Sequence, residues 1–226
     1  MNAAYDSTAV IIPALNAEAT LPSLMERLRA HFVPEQIIVV DDGSSDRTKE
    51  AAERLHTIAL RHPLNLGKGA ALETGFRFCR GQAQFNFVLT MDADLQHAPE
   101  DIPALFEAQQ RTAADIVVGT RKRFGVGMPV ARIISNTITS ALVSMRSKTK
   151  IEDSQCGFRL IRSAVIQRVF LEARGYEAET EFLIKAAQNG FGIASAPIQT
   201  IYRNEKSHMT HAATTKLFLK TLLRDY

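Results

Sequence analysis

The first half of the chain alternates short apolar runs rich in β-branched residues with longer stretches of amphipathic spacing. The apolar runs are typical of buried strands, and the amphipathic stretches are typical of helices that cover a sheet. The predicted strands are residues 9–13, 36–41, 56–61, 85–91 and 115–119, and the predicted helices are residues 18–31, 44–55, 67–79 and 99–111. This alternation predicts an α/β fold with a mostly parallel, doubly wound sheet and helices on both faces.

The alternation stops after residue 119. The chain then continues with a basic loop at 120–127, a long amphipathic segment at 126–145, a strand at 159–161, a helix at 179–189, a strand at 192–202 and a basic helix at 214–224. No repeat or low-complexity linker divides the chain. We therefore expect one domain over residues 1–226, in which residues 8–119 form one half and residues 120–226 a second half with peripheral helices.

Composition excludes several classes of protein. Of the 226 residues, 46% are hydrophobic and 23% charged, which is typical of globular domains rather than disordered ones. The net charge of +3 is too small for a dedicated nucleic-acid binder. Two widely spaced cysteines favour a reducing, cytoplasmic compartment.

Membrane insertion is also not expected from the sequence. Segment 126–145 carries Arg132 and Asn136 within the length of a spanning helix, and residues 1–8 lack the pattern of a signal peptide. We expect a soluble protein, or one that is attached to the surface of a membrane.

Acidic side chains follow two of the predicted strands. Asp41 and Asp42 end the second strand, while Asp92, Asp94 and Gln96 follow the fourth. Because the carboxyl ends of parallel strands meet at one edge of a sheet, both groups should lie at that edge. Such residues can also be solvated turn residues, which is the interpretation we favour for Asp46. For Asp92, Asp94 and Gln96 we predict a site for Mg²⁺ or Mn²⁺, which take carboxylates and substrate phosphates as ligands.

The usual nucleotide-binding motifs are missing. No Gly-x-Gly-x-x-Gly pattern follows the first strand, and Gly67-Lys68-Gly69 lacks the flanking residues of a phosphate-binding P-loop. A nucleotide would have to be bound by other contacts.

Five segments, in order, resemble the family 2 glycosyltransferases of the GT-A fold. They are Val10-Ile-Ile-Pro-Ala-Leu-Asn16, Ile38-Val-Val-Asp-Asp-Gly-Ser-Ser-Asp46, Asn65-Leu-Gly-Lys-Gly69, Asp92-Ala-Asp-Leu-Gln96 and Gln155-Cys-Gly-Phe-Arg159. The most similar subgroup is the polyprenyl-phosphate sugar synthases typified by dolichyl-phosphate mannose synthase. The resemblance covers residues 8 to 205 and implies inverting transfer of a sugar from a GDP- or UDP-sugar to a polyprenyl phosphate, dolichyl or undecaprenyl.

The resemblance also implies residues for the donor. Asp94 matches the metal-binding carboxylate, with Asp92 and Gln96 beside it, and Asp42 matches a residue that approaches the base or ribose. Lys68 either approaches the nucleotide or is solvated. The donor-binding positions implied by the family are Pro13, Leu15, Asn16, Glu18, Asp41, Asp42, Lys68, Asp92 and Arg203.

On the acceptor side, the family places arginines against the lipid phosphate. The matching residues are Arg121, Arg123 and Arg132, and Arg123 is also a catalytic candidate. The planar fork of arginine suits a phosphate, although a basic loop is often only a solvated surface. Lys216, Lys220 and Arg224 on the last helix fit either anionic lipid on the cytoplasmic face of a membrane or a homodimer contact.

Two alternatives remain open at this point. Glu181 matches the position of an acidic base in relatives that act on hydroxyl acceptors, and such an acceptor needs a base because its proton must leave. The second alternative is a non-catalytic nucleotide-sugar-binding subunit of a membrane partner.

Overall fold

The computed structural model describes residues 3–121, 130–201, 217–218, 220–224 and 226. Within them a sheet is formed in the order β3-β2-β1-β4-β6-β5-β7. The strands are β1 (Thr8–Ala14), β2 (Ile37–Asp41), β3 (Ile58–Arg61), β4 (Phe87–Thr90), β5 (Ile116–Arg121), β6 (Arg159–Arg162) and β7 (Ile193–Ile198). This mostly parallel α/β architecture confirms the predicted fold class.

Helices connect the strands and cover the sheet. They are α1 (Ala3–Asp6), α2 (Leu21–Leu28), α3 (Thr48–Arg54), α4 (Lys68–Arg80), α5 (Ile102–Thr112), α6 (Val130–Ser147), α7 (Ser163–Ile166) and α8 (Ala178–Gln188), with short 3₁₀ turns at Pro34–Gln36 and Pro99–Asp101. Residues 217–218 and 220–223 are also helical, within the predicted last helix. In the described part of the chain, no helix is long and apolar enough to cross a membrane.

Strand β6 runs antiparallel to both of its neighbours. Arg159, its first residue, lies opposite Thr90 of β4 and Val118 of β5. Because β6 starts where the parallel strands end, the segment before it reaches the carboxyl edge of the sheet. The sequence predicted this strand but not its direction.

The core lies along the central strands. The side chains of β2 are buried on both faces, as are nearly all of those of β1. Helix α4 packs directly on β1, since a Cβ at Gly75 would lie 2.5 Å from Cγ2 of Ile11. The two apolar runs that predicted β1 and β2 therefore form the centre of the core.

The helix predicted to begin at residue 18 begins at Leu21 instead. Asn16 has a φ of 53°, the Ala17 N–H donates to Thr48 Oγ1 at 2.8 Å, and the Glu18 N–H donates to Asp46 Oδ2 at 3.1 Å. These bonds hold residues 16–18 as a loop against the start of α3. Asp46 is thus a turn residue, as expected, but its carboxylate accepts hydrogen bonds from the chain instead of being solvated.

Candidate active site

Asp41 lies at the carboxyl end of β2 and is buried. Its Oδ1 accepts a hydrogen bond from the Ser44 N–H at 2.8 Å. Its Oδ2 is buried and makes no hydrogen bond within the described residues, and Nε of Arg61 lies 3.4 Å away. This oxygen is therefore paired in charge with Arg61 but accepts no hydrogen bond among the described residues, and a buried acceptor without one is costly, so a ligand N–H at this edge would stabilise it.

The segment after β1 completes the same edge. The Asn16 N–H donates to Ser44 Oγ at 2.9 Å, and Asn16 Oδ1 accepts from the Ser45 N–H at 2.9 Å. Glu18 forms an ion pair of 2.7 Å with Arg47. The predicted nucleoside-binding residues of this segment are Pro13, Leu15, Asn16 and Glu18. These bonds join the ends of β1 and β2 into one surface beside Asp41.

Asp42 is engaged by the chain's own loop. Its Oδ1 accepts from His62 Nδ1 at 2.7 Å and from the Leu66 N–H at 2.9 Å, and its Oδ2 accepts from the Gly67 N–H at 2.8 Å. The carboxylate predicted to approach the base or ribose therefore organises the loop that leads into α4. Because Asp42 holds the N–H of Gly67, it also fixes the start of α4, whose first residue is Lys68.

The segment predicted to bind a metal presents alternate side chains at its surface. Asp92, Asp94 and Gln96 are partly exposed, whereas Ala93 and Leu95 between them are buried. The Gln96 N–H donates to Asp94 Oδ1 at 2.9 Å, which fixes the turn. Two carboxylates and an amide oxygen on one face fit a hard divalent cation that completes its shell with phosphate oxygens.

The buried side chain of His97 supports this segment from the interior of the protein. Its Nδ1 accepts a hydrogen bond from the Asp92 N–H at 3.2 Å, and its ring stacks on Phe158 with the centroids 5.2 Å apart. Burial lowers the pKa of His97 to about 4, which keeps the ring neutral and its Nδ1 an acceptor.

Lys68 joins two carboxylates at the centre of the edge. Its Nζ lies 2.6 Å from Oδ1 of Asp92 and 2.8 Å from Oε1 of Glu179; we call these three residues the Lys68 cluster. Burial raises the pKa of Asp92, but the Lys68 charge outweighs it and brings the pKa down to about 2. Burial likewise lowers the pKa of Lys68, but the two carboxylates raise it overall. The sequence assigned no role to Glu179.

Gly157 forms the floor of the Lys68 cluster. A Cβ at this position would lie 2.6 Å from Glu179 Oε1, 3.0 Å from Asp92 Oδ1 and 3.1 Å from Lys68 Nζ. Since Gly157 precedes the antiparallel β6, the reversed strand brings the Gln155-Cys-Gly-Phe segment into the site. The glycine of that motif leaves room for the cluster.

The three arginines predicted for the acceptor have different outcomes. Arg121 binds the buried carboxylate of Asp153, with Nε 2.7 Å from Oδ2 and Nη2 2.9 Å from Oδ1. Burial lowers the pKa of Arg121, but Asp153 raises it overall. One edge of its guanidinium is therefore already occupied by Asp153, a pairing that was not predicted from the sequence. Arg132 lies on α6, and Arg123 and the donor-side Arg203 lie outside the described residues.

The structure does not bring Glu181 to the Lys68 cluster. Glu181 is fully buried, its Oε2 accepts from the Glu172 N–H at 3.1 Å and the Ala173 N–H at 2.8 Å, and its Oε1 pairs with Lys185 Nζ at 2.8 Å. Both oxygens of Glu181 are thus engaged by the chain itself, an arrangement that disfavours Glu181 as the base for an acceptor. Glu179, two residues earlier on α8, is the glutamate that faces Asp92.

Comparison with known proteins identifies relatives over most of the chain. An uncharacterized protein of Methanocaldococcus jannaschii is 33% identical over 207 residues, which cover 87% of this chain and 82% of the relative. The UDP-N-acetylglucosamine–dolichyl-phosphate N-acetylglucosaminyltransferase of Methanococcus voltae is 31% identical over 216 residues, 85% of each chain.

Among solved structures, glucosyl-3-phosphoglycerate synthase from Mycobacterium tuberculosis, in complex with Mn²⁺, UDP and glucosyl-3-phosphoglycerate, has the same fold. The TM-score is 0.75 at 22% identity, over 96% of this chain and 79% of that one. The sequence pattern of glycosyl transferase family 2 matches residues 9–170. With its GT-A fold and its carboxylates at the strand ends, the chain belongs to glycosyl transferase family 2.

Proposed function

We propose that this protein is an inverting glycosyltransferase that moves a sugar from a UDP- or GDP-sugar to a polyprenyl phosphate, and that a UDP-sugar is the donor to test first. The support for this donor and acceptor is the Methanococcus voltae relative, whose name contains both UDP-N-acetylglucosamine and dolichyl phosphate. The alignment covers 85% of both chains, so it includes both halves of the fold.

For the donor, the support comes from the carboxyl edge of the sheet. A nucleobase N–H would satisfy the buried Oδ2 of Asp41, and Pro13, Leu15, Asn16 and Glu18 lie on the neighbouring segment. Asp92, Asp94 and Gln96 would hold Mg²⁺ or Mn²⁺, which neutralises the charge of the leaving diphosphate. Lys68, which pairs with Asp92, adds a second cation beside these residues.

One observation carries the choice of acceptor: neither glutamate of α8 is free to act as a base. Glu181 is buried against backbone N–H groups, and Glu179 is paired with Lys68. A hydroxyl acceptor needs a base, whereas a phosphate monoester, with a second pKa of about 6, already carries an anionic oxygen at neutral pH. A phosphate oxygen can therefore attack the anomeric carbon in line with the departing nucleotide, which inverts that centre.

Positive charge on the acceptor side completes the proposal. Arg121 is held by Asp153 through Nε and Nη2, and Arg123 and Arg132 follow it in the sequence. We assign these arginines to the lipid phosphate and place the enzyme at the cytoplasmic face of a membrane, where such lipids are exposed.

The test is a product assay by mass spectrometry. The purified protein with Mn²⁺ or Mg²⁺ is offered UDP- and GDP-sugars together with a short polyprenyl phosphate or the matched polyprenol. We expect a sugar–phosphate–lipid product only from the phosphate. Transfer to the polyprenol at an equal rate would overturn the phosphate acceptor, and absence of any product across the panel would overturn catalysis in favour of a binding subunit.

A further inference from the structure

We infer that Glu181 is a positioning residue that anchors a loop across the site. The loop comprises residues 169–176, which we call the strap, and it ties the first turn of α4 to the first turn of α8. The strap thereby holds Lys68 opposite Glu179. The inference rests on the proposed function only for what the Lys68 cluster does.

Helix α8 binds the strap with one anion and one cation on the same face. Glu181 accepts from the N–H groups of Glu172 and Ala173. Lys185, one turn later, donates to the carbonyl of Phe170 at 2.8 Å and pairs with Oε1 of Glu172 at 2.8 Å. The helix thus satisfies both the donors and the acceptors of the strap backbone.

Helix α4 repeats this arrangement from the other side. Glu73 Oε2 accepts from the Leu171 N–H at 2.9 Å. Arg80, which pairs with Glu73, donates to the carbonyl of Val169 at 3.0 Å and also to that of Ile166. Four charged side chains from two helices therefore fix one short loop.

The strap closes directly over the start of α4. The Gly69 N–H donates to the Arg174 carbonyl at 2.7 Å. A Cβ at Gly69 would lie 2.3 Å from the Ala173 carbonyl oxygen, and a Cβ at Gly67 would lie 2.3 Å from that of Arg174. Gly67 also has a φ of +100°, which favours glycine. The two glycines on either side of Lys68 in the Asn-Leu-Gly-Lys-Gly motif are the positions where the strap touches the backbone.

This arrangement explains how Glu181, which does not contact the Lys68 cluster, can affect the positions of Lys68 and Glu179. Lys68 belongs to α4 and Glu179 to α8, and their side chains meet at 2.8 Å. The strap is bound to both helices within one turn of these residues. Loosening its anchor should therefore release Lys68 and Glu179 from each other, although Glu181 touches neither.

The test uses Glu181→Gln and Gly69→Ala, with Gly81→Ala as the matched control. Gly81 follows the other end of α4, has a φ of −82°, and a Cβ there would meet only the Phe78 carbonyl oxygen, at 3.5 Å. Hydrogen–deuterium exchange is measured in peptides covering residues 67–71 and 171–174, and the Kd of UDP with Mn²⁺ is measured by calorimetry. Neither readout requires transfer activity.

We expect exchange in both peptides to rise together by at least about ten-fold in each variant. Glu181→Gln replaces a charged acceptor of the strap N–H groups with a neutral one. In Gly69→Ala the new methyl group would lie 2.3 Å from the Ala173 carbonyl oxygen, so the strap must move away from α4 and the bond from the Gly69 N–H to Arg174 is strained. The Kd of UDP should rise in both variants, and Gly81→Ala should match the wild type. The pH profile of Glu181→Gln, measured with the acceptor that the product assay identifies, should keep the wild-type shape.

Two results would overturn the inference. Faster exchange at residues 171–174 with no change at residues 67–71 would show that the strap does not hold α4. Loss of 10²- to 10⁴-fold in turnover together with the acidic limb of the pH profile would show that Glu181 is a general base. If Glu181→Gln does not fold, exchange in Gly69→Ala decides. If the wild type binds no UDP, the proposed function fails while the exchange data still decide the role of the strap.

Discussion

Replacing Lys68 with methionine should destabilise the protein in a way that depends on pH. Methionine keeps most of the length of the side chain but removes the ammonium that lies 2.6 Å from Asp92 and 2.8 Å from Glu179. Asp92 and Glu179 would then share a largely buried site without the ammonium group that pairs with both of them. At neutral pH the variant should therefore unfold more easily than the wild type.

The pKa of Asp92 sets the size of the effect. It falls from the ordinary 3.8 to about 2 although burial opposes the change, and a lowering of this extent corresponds to about 2–3 kcal/mol. Because the folded pKa lies below the unfolded one, this stabilisation is fully present above about pH 4 and is lost as the pH falls towards 2. For a chain of this size the deficit at pH 7 corresponds to a fall in Tm of roughly 5–10 °C.

Chemical denaturation of both proteins at pH 7 and at pH 3 measures this difference. The deficit of Lys68→Met should be largest at pH 7 and should shrink at pH 3, where the carboxylates of the variant take up protons. Lys49→Met is the control, because Lys49 pairs with Glu53 at the surface and its loss should cost less than about 1 kcal/mol. An equal deficit at both pH values, or a deficit no larger than that of Lys49→Met, would refute the reasoning.

Three further changes test the donor, the acceptor and the floor of the site. Asp94→Ala should abolish transfer with little change in Tm, and a chelator should have the same effect; full activity in the chelator would contradict a metal-dependent mechanism. Arg132→Ala should raise KM for the polyprenyl phosphate by about 10- to 100-fold, the value of one charge-assisted hydrogen bond, with little change for the nucleotide sugar; the opposite pattern would move Arg132 to the donor side. Gly157→Ala should weaken UDP binding, because its Cβ would lie 2.6–3.1 Å from atoms of the Lys68 cluster. Gly192→Ala is the control, since the nearest atom to its Cβ would be 3.7 Å away, and it should bind UDP normally. Equal binding by both variants would show that the cluster tolerates the methyl group.

The sequence was most informative where apolar periodicity and motif order agree. The first five strands were predicted within a few residues, because β-branched runs such as those of β1 and β2 occur in buried parallel strands. Motif order likewise led to the family and the fold. Both inferences depend on local patterns that are visible along the chain.

The sequence could not show which of the two glutamates, Glu179 or Glu181, lies beside Asp92. Every residue from Ala178 to Ile184 is buried, so the start of α8 has no polar face that would indicate which glutamate points to the site. The role of Asp42 was missed for a related reason. Two of its three partners are backbone N–H groups, those of Leu66 and Gly67, which any residue type supplies, and the third, His62, lies twenty residues away in the sequence. The pairing of Asp153 could have been predicted, because an acidic residue two positions before the Gln-Cys-Gly-Phe segment is a candidate partner for an arginine at the same edge of the sheet.

The strand order has a consequence for how the polypeptide is made. Strand β5 closes the alternating part of the sequence, yet its partners in the described sheet are β6 and β7, which are translated later. A nascent chain that has reached residue 121 therefore exposes the edge of β4 and carries β5 with neither of these neighbours. Such edges invite aggregation, so we expect that the ribosome-bound chain depends on chaperones until β7 emerges. For the same reason, the amino-terminal half should not be obtainable alone as a stable nucleotide-binding fragment.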